Sequence, residues 1–318
     1  AAEAYRHFLG SCESPRLRDY ARRRLRACES PPRPDAGRPR GEELSPDELD
    51  ELSRVGERLH VESSEHFVVR APNAAVARRL IERAEAALRR ICGVLLAAQA
   101  YPHSVDVYVW ADRREYLDNA SDAPDYSGGN FTIRYERGGV TRRIDLTQLD
   151  ADGRYDVRME SRVLPHELCH LVTHEYFGES PCPLFLDEGL AMLAEARTDN
   201  RRVLLAGSGR AAGRGLPLRR LFLCRRDDAD DRAVFYAESF SFVEYVHGRL
   251  TREQFRRFLK HVKGGCTVAE ALQRALYLPP DPAFVDALTA AWEDHAIAQA
   301  QYLRALRGER DLLDGAHD

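Results

Sequence analysis

Two histidines and a glutamate near the middle of the chain have the types and spacing of a metal site. They form the pentapeptide His166-Glu-Leu-Cys-His170, in which the histidines stand four residues apart. On a helix, residues four apart share one face, so two neutral imidazoles can converge on one zinc ion. Glu167, next to the first histidine, faces the opening of the same site, where it can take a proton from a water that the metal activates. The spacing predicts zinc ligands at His166 and His170 and a general base at Glu167.

A catalytic zinc ion also needs a third protein ligand and an open fourth position. The apolar stretch Leu184 to Glu195 predicts a second helix, which carries Glu188. Residues 177–183 are rich in turn formers, which lets the two helices fold back on each other and brings Glu188 to the histidines. The alternative is that all three are ordinary helix residues, since such a pentapeptide arises by chance roughly a few times in a hundred. The second helix favours the metal site.

The same two segments carry a family resemblance. His166-Glu-Leu-Cys-His170 followed by Pro183-Leu-Phe-Leu-Asp-Glu-Gly-Leu-Ala191 resembles the gluzincin branch of the zincin metallopeptidases, which includes thermolysin and the zinc aminopeptidases. It is most similar to the bacterial peptidase MA-like domains, whose third-ligand helix usually reads Trp-x-x-Glu-Gly-x-Ala. Phe185 stands in place of that Trp, and Asp187 stands where many gluzincins carry Asn. Neither departure removes a ligand.

The resemblance extends, more weakly, from about residue 62 to about residue 292 and implies a fold and an activity. Zincin domains place a small mixed sheet before the metal helix, with an edge strand above the cleft that pairs with an extended peptide substrate. The resemblance therefore implies an α+β, zincin-like catalytic domain whose C-terminal part is mostly helical. It also implies one Zn²⁺ per chain, held by His166, His170 and Glu188, and the hydrolysis of peptide bonds.

Tyr236 is a further candidate for the chemistry. Tyr236-Ala-Glu-Ser239 is similar to the Tyr-x-x-Gly helix of zinc aminopeptidases, in which the tyrosine donates to the developing oxyanion. A packed aromatic side chain with a solvated hydroxyl is an equally open alternative.

Three other residues near the motifs have structural interpretations. His174 continues the histidine face by one more turn, and we expect it to pack in the core or around the ligands. Glu195 could orient a ligand histidine, but we expect a solvated acid. Cys169 lies on the other side of the first helix and is expected to be a small buried hydrophobe.

Length, composition and charge restrict the class of protein. The chain has 318 residues, 44% of them hydrophobic, which suffices for one large catalytic domain with an appendage or for two modest domains. The net charge of -4 gives no reason to expect a nucleic-acid or membrane partner. No apolar run reaches the roughly 18 residues that a transmembrane helix needs.

The seven cysteines include no Cys-x-x-Cys pair, which argues against a zinc ribbon. In an oxidising compartment Cys12 could pair with Cys28, and Cys182 with Cys224. Localisation stays open and leans toward a periplasmic or secreted protein of a bacterium.

The N-terminal residues differ from the rest of the chain. Apolar residues recur at helical spacing from Ala1 to Cys28, which predicts a helical hairpin similar to one tetratricopeptide-type unit. One such unit cannot bury its own face, so it packs on the catalytic domain or ends a longer array, and it is the candidate site for a protein partner. Residues 30–41 are a Pro-rich linker. We expect a hairpin with its linker over 1–40, an α/β part with both ligand helices over 41–198, and a helical part that completes the cleft over 199–318.

Local patterns predict the elements around the motifs. Ser45 caps a helix to about Leu59, and Asn73 caps a long helix to about Ala98. A β-rich run predicts a short strand at 66–70, and alternating residues predict one at 105–110. Two strand-like stretches around Gly138-Gly139 predict a hairpin at 131–146, which is the candidate edge strand. The Arg- and Gly-rich stretch 200–215 predicts a mobile loop near the cleft or an inert insertion. An amphipathic helix is predicted at 232–246, and further helices are predicted after Thr251 and after Asp281.

These patterns predict a gluzincin-like zinc metallopeptidase that acts on peptides or proteins, with a slight preference for endopeptidase action. The alternative from another class is a non-catalytic peptide- or protein-binding module on a zincin scaffold. The intact Glu167 counts against that alternative, because a binding module has no use for a base beside the metal.

Overall fold

A computed structural model describes residues 44–96, 101–120, 127–196, 199–225 and 231–314. The predicted N-terminal hairpin, its linker and the Cys12–Cys28 pair lie outside these residues. Within them the chain forms a five-stranded mixed sheet and eleven α-helices, which confirms a mixed α+β fold. Among the described helices, none is long and apolar enough to span a membrane.

The sheet has the strand order β1-β2-β3-β5-β4. In chain order the strands are β1 (His60–Ser63), β2 (Phe67–Ala71), β3 (Val105–Trp110), β4 (Gly129–Glu136) and β5 (Gly139–Thr147). β2, β3 and β5 are parallel, whereas β1 and β4 run antiparallel to their neighbours at the two edges. Alternate residues of β2 and β3 are buried, and this alternation is the pattern that predicted β3. The predicted hairpin is β4 and β5, and β4 is an edge strand.

Five helices precede or carry the metal motif: α1 (Pro46–Ser53), α2 (Ala74–Arg90), α3 (Arg113–Asn119), α4 (Leu164–Phe177) and α5 (Leu184–Ala194). Six follow it: α6 (Asn200–Ala211), α7 (Leu218–Leu223), α8 (Arg232–Arg249), α9 (Arg252–Lys263), α10 (Val268–Leu276) and α11 (Phe284–Asp314). α2 packs on β1 and β2, whereas α4 packs on β4 and β5. The helix with both histidines therefore lies against the edge hairpin.

One predicted helix end is wrong. Ser45 and Glu48 form the capping box that opens α1, but the helix ends at Ser53 and not near Leu59. The Ser53 hydroxyl accepts a hydrogen bond from the Tyr155 N–H, and the Gly56 N–H donates to Pro72 O, so tertiary contacts turn the chain toward the sheet. α2 begins after Asn73 as predicted, and after Arg90 the chain continues as a π-helical turn to Leu95; the predicted end near Ala98 lies outside the described residues.

The stretch predicted as a mobile loop is helix α6. Asp199 caps it by accepting a hydrogen bond from the Arg201 N–H, and Val203, Ala206 and Gly207 form its buried side. A Cβ at Gly207 would lie 2.3 Å from Ala296 O, so this glycine allows α6 and α11 to approach closely. The Arg and Gly residues that suggested a loop instead serve helix packing.

Helix α8 was predicted to be amphipathic, but its middle part is buried on all sides. Ten of its residues are buried, including every residue from Ala237 to Val243. It lies between α5, α6, α7 and α11, and its exposed residues, Arg232, Ala233 and Gly248, are at its two ends. The helices predicted after Thr251 and Asp281 are confirmed as α9 and α11.

Two predictions about cysteines have opposite outcomes. Cys169 is fully buried, as expected for a small hydrophobe, and burial raises the pKa of its thiol. Cys182 is a free thiol, so the structure does not contain the Cys182–Cys224 disulfide.

Candidate metal centre

Helix α4 presents the two histidines on the side opposite to its apolar face. A π-helical turn, Met159–Val163, leads into it, and Pro165 occupies its first turn, where a missing N–H costs nothing. Leu164, Leu168 and Leu171 are fully buried against the core. Gly178, at φ 63°, ends the helix in a conformation that favours glycine.

Helix α5 brings Glu188 to the histidines from the other side. Glu188 is buried, and Gly189 after it faces α8. A Cβ at Gly189 would lie 2.4 Å from Val243 Cγ2 and 2.7 Å from Ser239 O. The glycine next to Glu188 thus has a physical role, because any side chain here would push α5 away from α8.

The three predicted ligands meet at one point. His166 Nε2 and His170 Nε2 are 3.1 Å apart, and Glu188 Oε2 lies 3.7 Å from the first nitrogen and 3.6 Å from the second. A tetrahedral zinc ion bound at about 2.05 Å separates its ligand atoms by roughly 3.3 Å. The observed separations therefore fit such an ion, and this is the single group of His, Cys, Asp and Glu side chains in the described residues that could hold a metal.

Each histidine also has a carboxylate at its other ring nitrogen. Asp187 Oδ2 lies 3.0 Å from His170 Nδ1, although the ring N–H does not point directly at this oxygen. Glu195 Oε1 lies 3.3 Å from His166 Nδ1. The expectation of a solvated Glu195 is therefore wrong, because this side chain is only 2% exposed. The role of Asp187 was missed, although its place next to Glu188 in the sequence was a usable signal.

The carboxylates shape the electrostatics around the histidines. Burial alone would lower the pKa of His170, but Asp187 and Glu188 reverse the effect and raise it well above its usual value. Burial alone would raise the pKa of Glu195, but the contact with His166 and the charges of Arg202 and Arg162 hold it below its usual value. Three carboxylates thus surround two imidazoles, and this donor set suits a divalent cation.

The side chain of Glu167 on α4 lies against the edge strand β4. A Cβ at Gly129, the first residue of β4, would lie 3.2 Å from Glu167 Cγ and 2.4 Å from Val163 Cγ1, so glycine makes room for the Glu167 side chain. Burial raises the pKa of Glu167, His166 and His170 oppose this, and the Glu188 charge adds to it. On the same side of β4, the Phe131 ring stacks on His170 with centroids 5.9 Å apart. The edge strand therefore borders the candidate site.

The structure also locates Tyr236 and His174, the other two residues considered near the motifs. Tyr236 is half-buried on α8, whose Ser239 and Val243 face Gly189 on α5. Residues three and seven positions apart share a helix face, so Tyr236 lies on the side of α8 that faces α5. Its role as oxyanion donor stays a prediction. His174 was expected to be packed but is exposed, with its ring 6.5 Å from that of Phe131.

Comparison with protein families agrees with this arrangement. Residues 97–293, more than half of the chain, match the model of the Peptidase MA superfamily. The chain belongs to this superfamily. The match spans β3 to the first part of α11, so both helices of the candidate metal centre lie within the Peptidase MA region. No curated protein matches the chain.

Proposed function

We propose that this member of the Peptidase MA superfamily is a zinc-dependent peptidase of the gluzincin type. The observation that carries the proposal is the convergence of His166 Nε2, His170 Nε2 and Glu188 Oε2 within 3.1 to 3.7 Å of one another. A bound Zn²⁺ supplies Lewis acidity, which makes water a nucleophile at neutral pH and polarises a peptide carbonyl.

Glu167 is the general base in this proposal. Its carboxylate takes one proton from the water that attacks the carbonyl carbon. It then gives this proton to the leaving nitrogen as the C–N bond breaks, so the products are an amine and a carboxylic acid, which loses its remaining proton to solvent. The raised pKa of Glu167 suits both steps, because a base with a pKa nearer to neutral both accepts and releases a proton readily.

The substrate in this proposal is an extended peptide that pairs with β4. Glu136 and Gly139 flank a two-residue turn and must exchange hydrogen bonds, so alternate residues of β4 bond to β5. The N–H groups of Phe131, Ile133 and Tyr135 then point away from β5, where a peptide strand can bond to them. Tyr236 is proposed to donate a hydrogen bond to the oxyanion, and Tyr236→Phe would test this by its effect on kcat.

The decisive experiment is Glu167→Gln, which keeps the shape of the side chain and removes its basicity. We expect turnover of a mixed peptide library to fall by about 10² to 10⁴-fold, while zinc content stays at that of the parent. Glu175→Gln is the matched control, since Glu175 lies on the same helix but pairs with Arg142 and His103. The control should keep the parent's turnover.

Two results would contradict the proposal. Equal turnover by Glu167→Gln and the parent would mean that Glu167 is not the base. A parent that binds zinc and peptides but cleaves none of them would favour the binding module.

A further inference from the structure

Glu195, which follows the last residue of α5, is fixed from several directions. Arg202 Nη1 on α6 lies 2.8 Å from its Oε1, and Arg162 Nε in the π-helical turn lies 3.0 Å from its Oε2. Arg162 also reaches Asp199 Oδ2 at 3.2 Å, which ties the start of α6 to the same group. The N–H of Ala196 donates to Ser161 O at 2.7 Å and holds the backbone beside it. The carboxylate therefore has little freedom to move.

The same carboxylate reaches His166 on the side away from the other two ligands. Its Oε1 lies 3.3 Å from His166 Nδ1, while Nε2 of that ring faces Glu188 and His170. An acceptor at Nδ1 favours the tautomer with the proton on that nitrogen and leaves the Nε2 lone pair for a metal. One helical turn before Glu195, on the side of Glu188, the residue is the apolar Met192, which cannot accept this hydrogen bond. Glu195, seven residues after Glu188, supplies the carboxylate instead.

We propose that Glu195 is a positioning residue for His166, and that Arg162 and Arg202 hold it in place for this role. The assignment rests on the proposed function, because it requires His166 to be a zinc ligand. It extends the candidate metal centre beyond the two motif helices to α6. The competing interpretation is that Glu195 only pairs with the two arginines and stabilises the fold.

The chain contains a matched carboxylate that separates these interpretations. Glu160 is as deeply buried as Glu195, with 4% of its side chain exposed, and it also faces two arginines. Arg79 Nε lies 2.5 Å from it and Arg83 Nε lies 3.8 Å from it. Glu160 lies in the turn before α4 and forms these ion pairs away from the ligand nitrogens. Glu160→Gln therefore removes a similar charge from a similar ion pair.

The experiment measures the zinc dissociation constant of the full chain by competition with a chelator of known affinity. We expect Glu195→Gln to weaken zinc binding by about 10- to 100-fold, as is typical for partners of ligand histidines. Glu160→Gln should bind zinc as the parent does, even where both variants lose stability to denaturant. Parent-like zinc affinity in Glu195→Gln would overturn the assignment and leave Glu195 a structural ion pair. Equal weakening in both variants would overturn it as well.

A second variant tests the assignment if Glu195→Gln does not fold. Arg202→Gln keeps the carboxylate and changes a side chain that is 22% exposed, so it disturbs the core less. We expect zinc affinity to fall by a smaller factor than in Glu195→Gln, and parent-like affinity would overturn the role of the arginine. A parent chain that binds no zinc would instead overturn the proposed function itself, which is a different result from that of any variant.

Discussion

The two ligand helices and the helical part that follows both bury charged groups, but they do so differently. Around α4 and α5, the carboxylates of Asp187, Glu188 and Glu195 face two imidazoles. In the helical part, the Arg210 cluster consists of Arg210, Glu238, Glu293 and Trp292. There Arg210 Nη2 lies 3.0 Å from Glu238 Oε2, with both side chains only 1% exposed.

The difference shows which buried charges point to a ligand. In the Arg210 cluster a guanidinium meets a carboxylate, and Arg210 also lies over the Trp292 ring and donates to Leu216 O. The buried charges of Arg210 and Glu238 compensate each other, and Glu293 is 43% exposed to solvent, so the cluster belongs to the fold. At the ligand helices, Asp187 and Glu188 converge on imidazoles that would be neutral with a metal bound, and a divalent cation would complete the balance. The following variants test this comparison.

The largest effect is expected for His170→Ala. Removal of one of three protein ligands from a catalytic zinc site should abolish stoichiometric binding, because two ligands cannot hold the ion against exchange. Metal analysis after dialysis should find about one zinc ion per parent chain and almost none in the variant. His174→Ala, one turn further along α4 and exposed, is the control and should keep its zinc. If His170→Ala still holds about one zinc ion per chain, the proposed metal centre is wrong.

Arg210→Met should have the next largest effect. It should lower the stability of the fold and leave zinc binding unchanged. Without Arg210, Glu238 is a buried carboxylate without its main counter-charge, and breaking such a pair typically lowers the free energy of unfolding by about 3 to 5 kcal/mol. Denaturant titration measures this loss. Arg219→Met is the control, since Arg219 and Asp286 lie 3.6 Å apart with 65% and 79% of their side chains exposed. An exposed pair of this kind contributes about 0 to 1 kcal/mol.

The pH dependence of Arg210→Met gives a second measurement on the same variant. Burial already raises the pKa of Glu238, although Arg210 opposes this. Loss of Arg210 should raise the pKa of Glu238 further. Glu238 then binds its proton more tightly in the folded state than in the unfolded state. The variant should therefore lose more stability as the pH rises above the usual pKa of a glutamate than it does in acid. A loss that does not depend on pH would contradict the role of an unpaired Glu238.

The sequence predicts the parts of this protein that depend on local spacing. His166 and His170 stand one turn apart, and β3 alternates residue by residue, so both could be recognised before any packing was known. The contacts of Asp187 and Glu195 with the histidines depend on how α4, α5 and α6 pack, which no local pattern reports. Helix α6 was missed for a related reason, because its stability comes from the close approach at Gly207 and from Arg210, while its composition resembles a loop.

Asp187→Asn should have a smaller effect, confined to the metal side of the comparison. Asparagine keeps the size of the side chain and an acceptor oxygen but removes the charge beside His170 Nδ1. We expect zinc affinity to fall by about 10- to 100-fold, with little change in the free energy of unfolding. Asp106→Asn is the control, since Asp106 pairs with Arg70 on the sheet. If both variants bind zinc equally well, the Asp187 carboxylate does not support the ligand.

The smallest effect is expected at the edge strand, where the fold meets the proposed substrate. Ile133→Pro removes one N–H that points away from β5 in the register set by the Glu136–Gly139 pair. One backbone hydrogen bond contributes about 0.5 to 1.5 kcal/mol net, so the Kd of a bound peptide should rise by roughly 2- to 10-fold. The measurement uses the Glu167→Gln background, in which a peptide that the parent cleaves persists. Ile133→Ala is the control for loss of the side chain, because it keeps the N–H.

The zinc content of the Ile133 variants shows whether a change in peptide affinity is direct or acts through the metal centre. Because Ile133 lies on the same face of β4 as Phe131, which stacks on His170, a distorted strand could reach the metal centre and weaken peptide binding indirectly. Weaker binding by Ile133→Pro at unchanged zinc content, with Ile133→Ala close to the parent, would indicate that the peptide pairs with β4. Equal affinity of all three proteins for the peptide would mean that the substrate lies elsewhere, even if the metal centre and its base are as proposed.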